Sequence, residues 1–280
     1  MTDMEYQMLV MDLDGTLTNS KKEISPATLR ALLDIQNIGK KVVLASGRPI
    51  NGVLPLAEKL QLDKYGSYIL SFNGARITQC STGQTIYNKT LPPEVIEPIY
   101  QFVRSYPGLD LVSYDSETIL SGIEPNEYTR KESMINNMEI RVVDDLPSAL
   151  SFPVNKLLIP GDPEIIETCM PALKQKYHGL LNIYRSDPFF LEVMPQHIDK
   201  AYSLQKLLNS IGLTAEQMIC CGDGYNDISM IESAGLGVAM ANAQPLVKDT
   251  ADFITASNDE DGILRVINLF MREDTLQAGR

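Results

Sequence analysis

A chain of 280 residues, 44% apolar and 21% charged, is long enough for one large globular domain or two smaller ones. Its formal net charge of −12 disfavours broad binding to nucleic acid or anionic membranes, and no apolar run approaches the roughly 20 residues that span a bilayer. The opening "MTDMEYQ" lacks a basic segment followed by an apolar one, so no signal peptide is expected and a cytoplasmic location is.

In chain order, short runs rich in Val, Ile and Leu alternate with amphipathic helices. "YQMLVM" reads as a strand, followed by a helix over "SPATLRALLDIQNIGK" with Ser25 as N-cap, Pro26 in the first turn and Gly39 as stop. "KVVLA" is a strand ending at "SGRP"; a helix over about 50–60 leads to the strand "YILSF" and then to "FNGARI", whose Asn-Gly pair signals a tight hairpin. From about Ile86 to Asp187 the pattern changes. Helices over "PPEVIEPIYQFVRSY", "PNEYTRKESMINNM" and "DPEIIETCMPALKQKY" mix with strands at "LDLVSYDSETIL", "EIRVV", "NKLLIPG" and "LNIYR". This reads as an inserted α+β unit with antiparallel strands. After the strand "FFLEV", which places the next helix at the edge of the core, come that helix, "DKAYSLQKLLNSIG", the strand "MICC", the helix "NDISMIESAG", the strand "LGVAM" and a terminal helix around "GILRVINLFMR". Continuously apolar strands alternating with helices predict a doubly wound parallel α/β sheet over residues 1–85 and 188–280, with residues 86–187 inserted.

Cys80, Cys169, Cys220 and Cys221 form no CxxC pair and read as reduced, buried thiols; Cys220 and Cys221, adjacent on one strand, should face opposite ways. His178 and His197 are the two histidines, which argues against His-rich zinc sites and leaves few candidates for a Ser/Cys-His triad; His197 is expected at the surface.

Three polar clusters each follow directly on an apolar strand: Asp12 with Asp14, Ser46 with Arg48, and Asp223 with Asn226 and Asp227. In a parallel sheet they share one edge, where ligands of open α/β sheets bind. Two carboxylates about 4 Å apart repel by roughly 4 kcal/mol at an effective dielectric near 20, and a divalent cation relieves this; oxygen-only donors suit Mg²⁺. An EF-hand is excluded, because Leu17 stands where the loop needs glycine and a strand precedes the motif. Ser46 could offer its hydroxyl and N–H to an anion, and Arg48 could fork onto a phosphate or a substrate carboxylate. Both also suit a capped turn. Lys200, in a helix first turn where the macrodipole disfavours a cation, is either a surface residue or aimed at an anion. Asn73 and Gly74 form a structural turn or border a substrate pocket.

"DLDGTLTNS", "SGRP", Lys200 before a helix and "GDGYNDISMI", in this order, resemble the haloacid dehalogenase (HAD) superfamily, and "NGA" with the long insert resembles its Cof-type sugar-phosphatase branch. Ala201 departs from the glycine that usually follows the lysine. The resemblance implies a Rossmann-like HAD core with an inserted cap that closes over the strand ends and sets specificity. It implies Asp12 as nucleophile, forming an aspartyl-phosphate, and Asp14 as the acid and base. Mg²⁺ would be held by the Asp12 carboxylate, the Asp14 backbone carbonyl and Asp223. Thr16, Ser46, Gly47, Arg48, Asn73, Gly74, Asn226 and Lys200 would line the phosphate and substrate, with Asp227 orienting Lys200 or metal-bound water. The expected activity is Mg²⁺-dependent phosphatase action on a small phosphorylated metabolite. Alternatives are a phosphomutase or phosphotransferase of the same superfamily, a phospho-accepting receiver module, and a regulatory protein without catalysis. No Gly-rich loop ending in Lys-Ser/Thr points to a P-loop enzyme.

Overall fold

The computed structural model describes residues 5–272. The chain runs β1 (Met8–Met11), α1 (Pro26–Asn37), β2 (Lys41–Ala45), α2 (Ile50–Lys59), α3 (Leu62–Tyr65), β3 (Tyr68–Ser71), β4 (Arg76–Gln79) and β5 (Thr85–Asn88). Next come α4 (Ile96–Arg104), β6 (Val112–Tyr114), β7 (Thr118–Ser121), α5 (Glu127–Asn136), β8 (Glu139–Val142), α6 (Leu146–Ala149), β9 (Leu157–Pro160), α7 (Pro163–Lys176), β10 (Leu181–Asp187) and β11 (Phe190–Pro195). The last stretch holds α8 (Lys200–Ile211), β12 (Met218–Gly222), α9 (Ile228–Ser233), β13 (Leu236–Ala239), α10 (Pro245–Thr250), β14 (Phe253–Ile254) and α11 (Gly262–Phe270).

The first unit carries an eight-stranded sheet in the order β14-β13-β12-β1-β2-β3-β4-β5, parallel from β14 to β3 and antiparallel at the β3–β4 hairpin. β1 is central because all four of its residues are apolar, so it can be buried on both faces. Period-2 alternation then splits it: Leu9 and Met11 enter the cluster formed with α1, α2 and α11, while Met8 and Val10 join the cluster under α8. Cys220 and Cys221 divide between the same two clusters, as adjacency on a strand requires. Ser25 caps α1 by accepting from the Thr28 N–H, Pro26 follows it, and Gly39 turns the chain away with φ at +93°. The sheet grows outward from β1 through β2 and β3 on one side and from β12 through β13 on the other. The ends of β1 and β12 therefore lie at the point where the winding reverses, the place where such sheets bind ligands.

The second unit, Asn88–Ile198, has a six-stranded sheet in the order β10-β11-β9-β6-β7-β8. Its pairs are antiparallel except β7–β8, whose connection through α5 makes them parallel rather than antiparallel as expected. Its core joins Ile99 and Val103 of α4, Cys169 and Leu173 of α7, and Leu157, Ile159, Leu191 and Val193 of the sheet. β11 corrects the expected boundary. "FFLEV", on the core side of the expected boundary at 188, instead pairs antiparallel with both β10 and β9, and the first unit resumes at Asp199. A strand covered on both faces is continuously apolar in either kind of sheet, so apolarity alone could not assign it.

Asp110 ties three elements of this unit together. Fully buried, it accepts from the Leu111 N–H (2.7 Å), the Ser121 hydroxyl (2.8 Å) and the Thr129 hydroxyl (2.7 Å). Burial pushes its carboxyl up to about 6, although those three donors pull the other way. Because the folded pKa lies above the ordinary 3.8, the folded chain holds the proton more tightly. The associated stability is complete below pH ~4 and is lost as pH rises through ~6, a change of about 3 kcal/mol at roughly 1.4 kcal/mol per pKa unit. Asp110→Asn should therefore gain on the parent by that order between pH 4 and 6 in paired denaturant titrations. Parallel pH profiles for the two proteins would contradict it.

Candidate active site

The clusters after β1, β2 and β12 meet. Asp12 directly follows β1, and Lys200 is the first residue of α8, whose N-cap Asp199 accepts from the Tyr202 N–H at 2.7 Å. The Lys200 side chain is fully buried, and its ammonium donates to Asp12 Oδ1 (2.6 Å), Asp227 Oδ1 (2.6 Å) and the Ala45 carbonyl (3.0 Å). Of the two readings of this lysine, the buried cation aimed at anions is the one found. Carboxylate oxygens of Asp12, Asp223 and Asp227 lie within 4.8 Å of one another.

The electrostatics follow from this crowding. Burial pushes the Asp12 carboxyl up to about 7; Lys200 pulls it down, while Asp227 and Asp223 repel it upward. Burial likewise lifts Asp223 to about 6, against a hydrogen bond donated by the Thr16 hydroxyl at 2.7 Å. For Lys200, burial opposes the ammonium, but the two carboxylates outweigh it and push its pKa up.

Three hard carboxylate donors with no histidine or cysteine among them, held together at a cost in mutual repulsion, fit an oxygen-seeking divalent cation. Their commitments differ. Asp227 spends Oδ1 on Lys200 and Oδ2 on the N–H groups of Asp223 (3.0 Å) and Gly224 (2.9 Å), so it acts as a brace for the loop. Asp12 and Asp223 each give one oxygen to these contacts. Asp12 and Asp223 could therefore each turn a second carboxylate oxygen to a cation, whereas Asp227 has both of its oxygens engaged.

Asp14 stands apart. Arg48 forks onto its carboxylate (Nε to Oδ2, 2.9 Å; Nη2 to Oδ1, 2.7 Å), and Lys22 adds a third contact at 2.7 Å. Burial alone would raise the Asp14 carboxyl, but Arg48 and Lys22 outweigh it and hold it below its ordinary value. Arg48 was expected to fork onto a phosphate or a substrate carboxylate; here the fork grips the chain's own Asp14. Gly15 follows with φ at +84°, and a Cβ there would run into the Asp223 carboxylate, so the turn needs glycine both for its backbone and for this close approach.

Ser46 is buried; its hydroxyl accepts from the Arg48 N–H (3.2 Å) and its N–H donates to the Leu70 carbonyl. Asn73, with φ at +53°, donates its N–H to the Ser46 carbonyl, accepts from Asn226 Nδ2 (3.1 Å), and packs against Gly47, where a Cβ would come within 3.1 Å of its Oδ1. The β3–β4 turn is thus the expected hairpin and also a link between two clusters. Gly74 is committed to α8: its carbonyl accepts from the Ser203 hydroxyl at 2.6 Å, and a Cβ there would strike the Asp199 carbonyl. His197 is exposed, as expected.

Sequence reasoning missed Lys22 and Asn242, whose Nδ2 donates to the Gly15 carbonyl at 2.8 Å. Lys22 carries no signal. Asn242 had one, because it lies just past the end of β13 on the edge that flagged the other clusters.

The chain as a whole has close counterparts. The profile of the haloacid dehalogenase-like hydrolases matches residues 9–267. The chain belongs to that family. A haloacid dehalogenase-like hydrolase from Bacteroides thetaiotaomicron superposes with a TM-score of 0.91 at 45% identity, covering 94% of this chain and 99% of its own. The HAD subclass IIB sugar phosphatase BT4131 superposes with a TM-score of 0.78 at 27% identity, covering 94% and 98%. The 5-amino-6-(5-phospho-D-ribitylamino)uracil phosphatase YcsE of Bacillus subtilis is 30% identical over 265 residues, 95% of this chain and 96% of its own. The HAD fold and the Cof-type branch expected from the motifs are the ones found. Among the described residues no helix is long and apolar enough to cross a membrane.

Proposed function

We propose that this HAD hydrolase is a Mg²⁺-dependent phosphatase acting on small phosphorylated metabolites through a phosphoryl group carried on Asp12. The observation that carries the reading is Lys200: a fully buried ammonium bridging Asp12 and Asp227, with Asp223 beside them, at the winding reversal of a parallel sheet. The relatives named as a sugar phosphatase and as a ribitylaminouracil phosphate phosphatase support a small phosphomonoester as substrate.

In this mechanism an Asp12 oxygen attacks phosphorus and the bond to the leaving oxygen breaks. That oxygen takes a proton, and water then attacks the phosphorus and frees Asp12 with release of phosphate. Lys200 holds Asp12 in place and offers positive charge to the transferring oxygens; Thr16 and Ser46 supply hydroxyls nearby. Mg²⁺, held by Asp12 and Asp223 with the Asp14 carbonyl, would offset charge on Asp12 and on the substrate phosphate. Asp14 is the acid and base. Its grip by Arg48 and Lys22 favours the carboxylate, the form that draws a proton from water, and donation to the leaving group requires that grip to loosen. The inserted unit sets the choice of leaving group.

A panel of sugar, nucleotide and cofactor phosphomonoesters, assayed for inorganic phosphate with Mg²⁺ and with excess EDTA, tests this. We expect release from at least one member, lost in EDTA and restored by added Mg²⁺. Isomerisation of a sugar phosphate with little free phosphate, or EDTA-insensitive release, would overturn the reading.

A further inference from the structure

The turn that carries Thr16 is held partly from within: the Thr18 hydroxyl donates to the Leu13 carbonyl at 2.9 Å, and Asp14 pairs with Thr18 as an isolated bridge. Its internal backbone bonds include Thr16 N–H to Leu13 O at 3.4 Å, Leu17 N–H to Asp12 O at 3.2 Å and Thr18 N–H to Leu13 O at 2.9 Å. Gly15, at positive φ, adds backbone freedom rather than stiffness. Two asparagines from distant parts of the chain add a hold from outside. Asn242 Nδ2 donates to the Gly15 carbonyl (2.8 Å), the Asn258 N–H donates to Asn242 Oδ1 (3.0 Å), and Asn258 Nδ2 donates to the Thr18 carbonyl (2.9 Å). The pair thus spans the turn from Gly15 to Thr18, each amide oriented by its partner or by the turn itself.

The same segment also reaches the acidic loop. The Met240 N–H donates to the Gly222 carbonyl and the Gln244 N–H to the Asp223 carbonyl, both within 3.1 Å. Residues 240–244 therefore fasten the ends of β1 and β12 to one strip of backbone. Because the peptide group is planar, gripping the Gly15 carbonyl fixes the plane it shares with the Thr16 N–H, and so the base from which the Thr16 hydroxyl reaches Asp223 at 2.7 Å.

We propose that Asn242 and Asn258 are positioning residues for the phosphoryl-transfer site, holding the Gly15–Thr18 turn so that Thr16 and Asp223 keep their contact and Asp223 keeps its aim. The kinetic consequence rests on the phosphatase reading; the structural one does not. Asn242→Asp is the sharpest variant, since a carboxylate of the same size still accepts from the Asn258 N–H but cannot donate to the Gly15 carbonyl. Asn242→Ala removes both contacts, and Asn258→Ala cuts the pair from the other side should the first two fold poorly.

In metal-free protein, amide hydrogen exchange over residues 13–18 should speed up at least about tenfold in these variants with the rest of the β1 region unchanged. With a turned-over phosphomonoester, kcat should fall roughly 10- to 100-fold, KM should move little, and the Mg²⁺ concentration for half-maximal rate should rise. Exchange within twofold of the parent in all three variants overturns the proposal. So does faster exchange with kcat and Mg²⁺ dependence within twofold of an active parent, which would make the pair merely structural. If exchange speeds up while the parent turns over no phosphomonoester, the hold on the turn stands and the phosphatase reading falls.

Discussion

Asp12→Asn should lose turnover by roughly 10³- to 10⁶-fold while folding at least as stably as the parent. The loss follows from the proposed role: an amide oxygen is a poor nucleophile, and removal of a covalent catalyst leaves the enzyme only the binding and electrostatic help of the remaining site. The stability follows from geometry. Burial and two neighbouring carboxylates raise the Asp12 carboxyl, so the native fold tolerates that charge rather than depends on it. Asparagine keeps the shape and an oxygen for Lys200, and it removes repulsion with Asp223 and Asp227. Phosphate release and thermal melts of the same preparation check both halves. Turnover within tenfold of the parent would remove Asp12 from the chemistry.

Lys200→Met should cost both activity and stability. The buried ammonium has two carboxylate partners at 2.6 Å, and deleting it leaves Asp12 and Asp227 buried beside each other without a counter-charge. Breaking a buried pair in this way costs about 3–5 kcal/mol, and loss of the positive charge at the transferring oxygens costs about 10²- to 10³-fold in kcat. Adding Asp227→Asn should recover part of the stability and none of the activity, because it removes one stranded charge and restores no cation. Denaturant titration of the parent, the single variant and the double variant measures this. A Lys200→Met protein that melts with the parent would mean that the lysine is a spectator.

Legibility in the sequence tracked how local each feature is. Strand β1 and helix α1 were readable because four apolar residues, a serine cap and a proline at the first turn act within a few residues. The convergence of Asp12, Ser46 and Asp223 was readable because it needs only the parallel rule and the edge it implies. The role of β11 was hidden, since Leu191 and Val193 are equally apolar in either unit and only pairing with β9 and β10 decides between them. The grip of Arg48 on Asp14 was hidden too. A guanidinium after a strand suits a substrate phosphate or a neighbouring carboxylate equally well, and the choice lies in distances between residues 34 positions apart. Lys200 was half legible: its place at a helix start was plain, while its complete burial between two carboxylates was not.

The proposed mechanism passes the phosphoryl group through Asp12. An activated aryl phosphate, whose leaving group departs without a proton, should load the Asp14→Asn protein and leave the adduct slow to hydrolyse. Acid quench and borohydride reduction convert an acyl phosphate to the alcohol, which peptide mass spectrometry locates. Homoserine is expected at position 12, present with substrate and Mg²⁺ and absent when EDTA replaces Mg²⁺. Release of phosphate with no label at position 12, or with the label on another carboxylate, would contradict it.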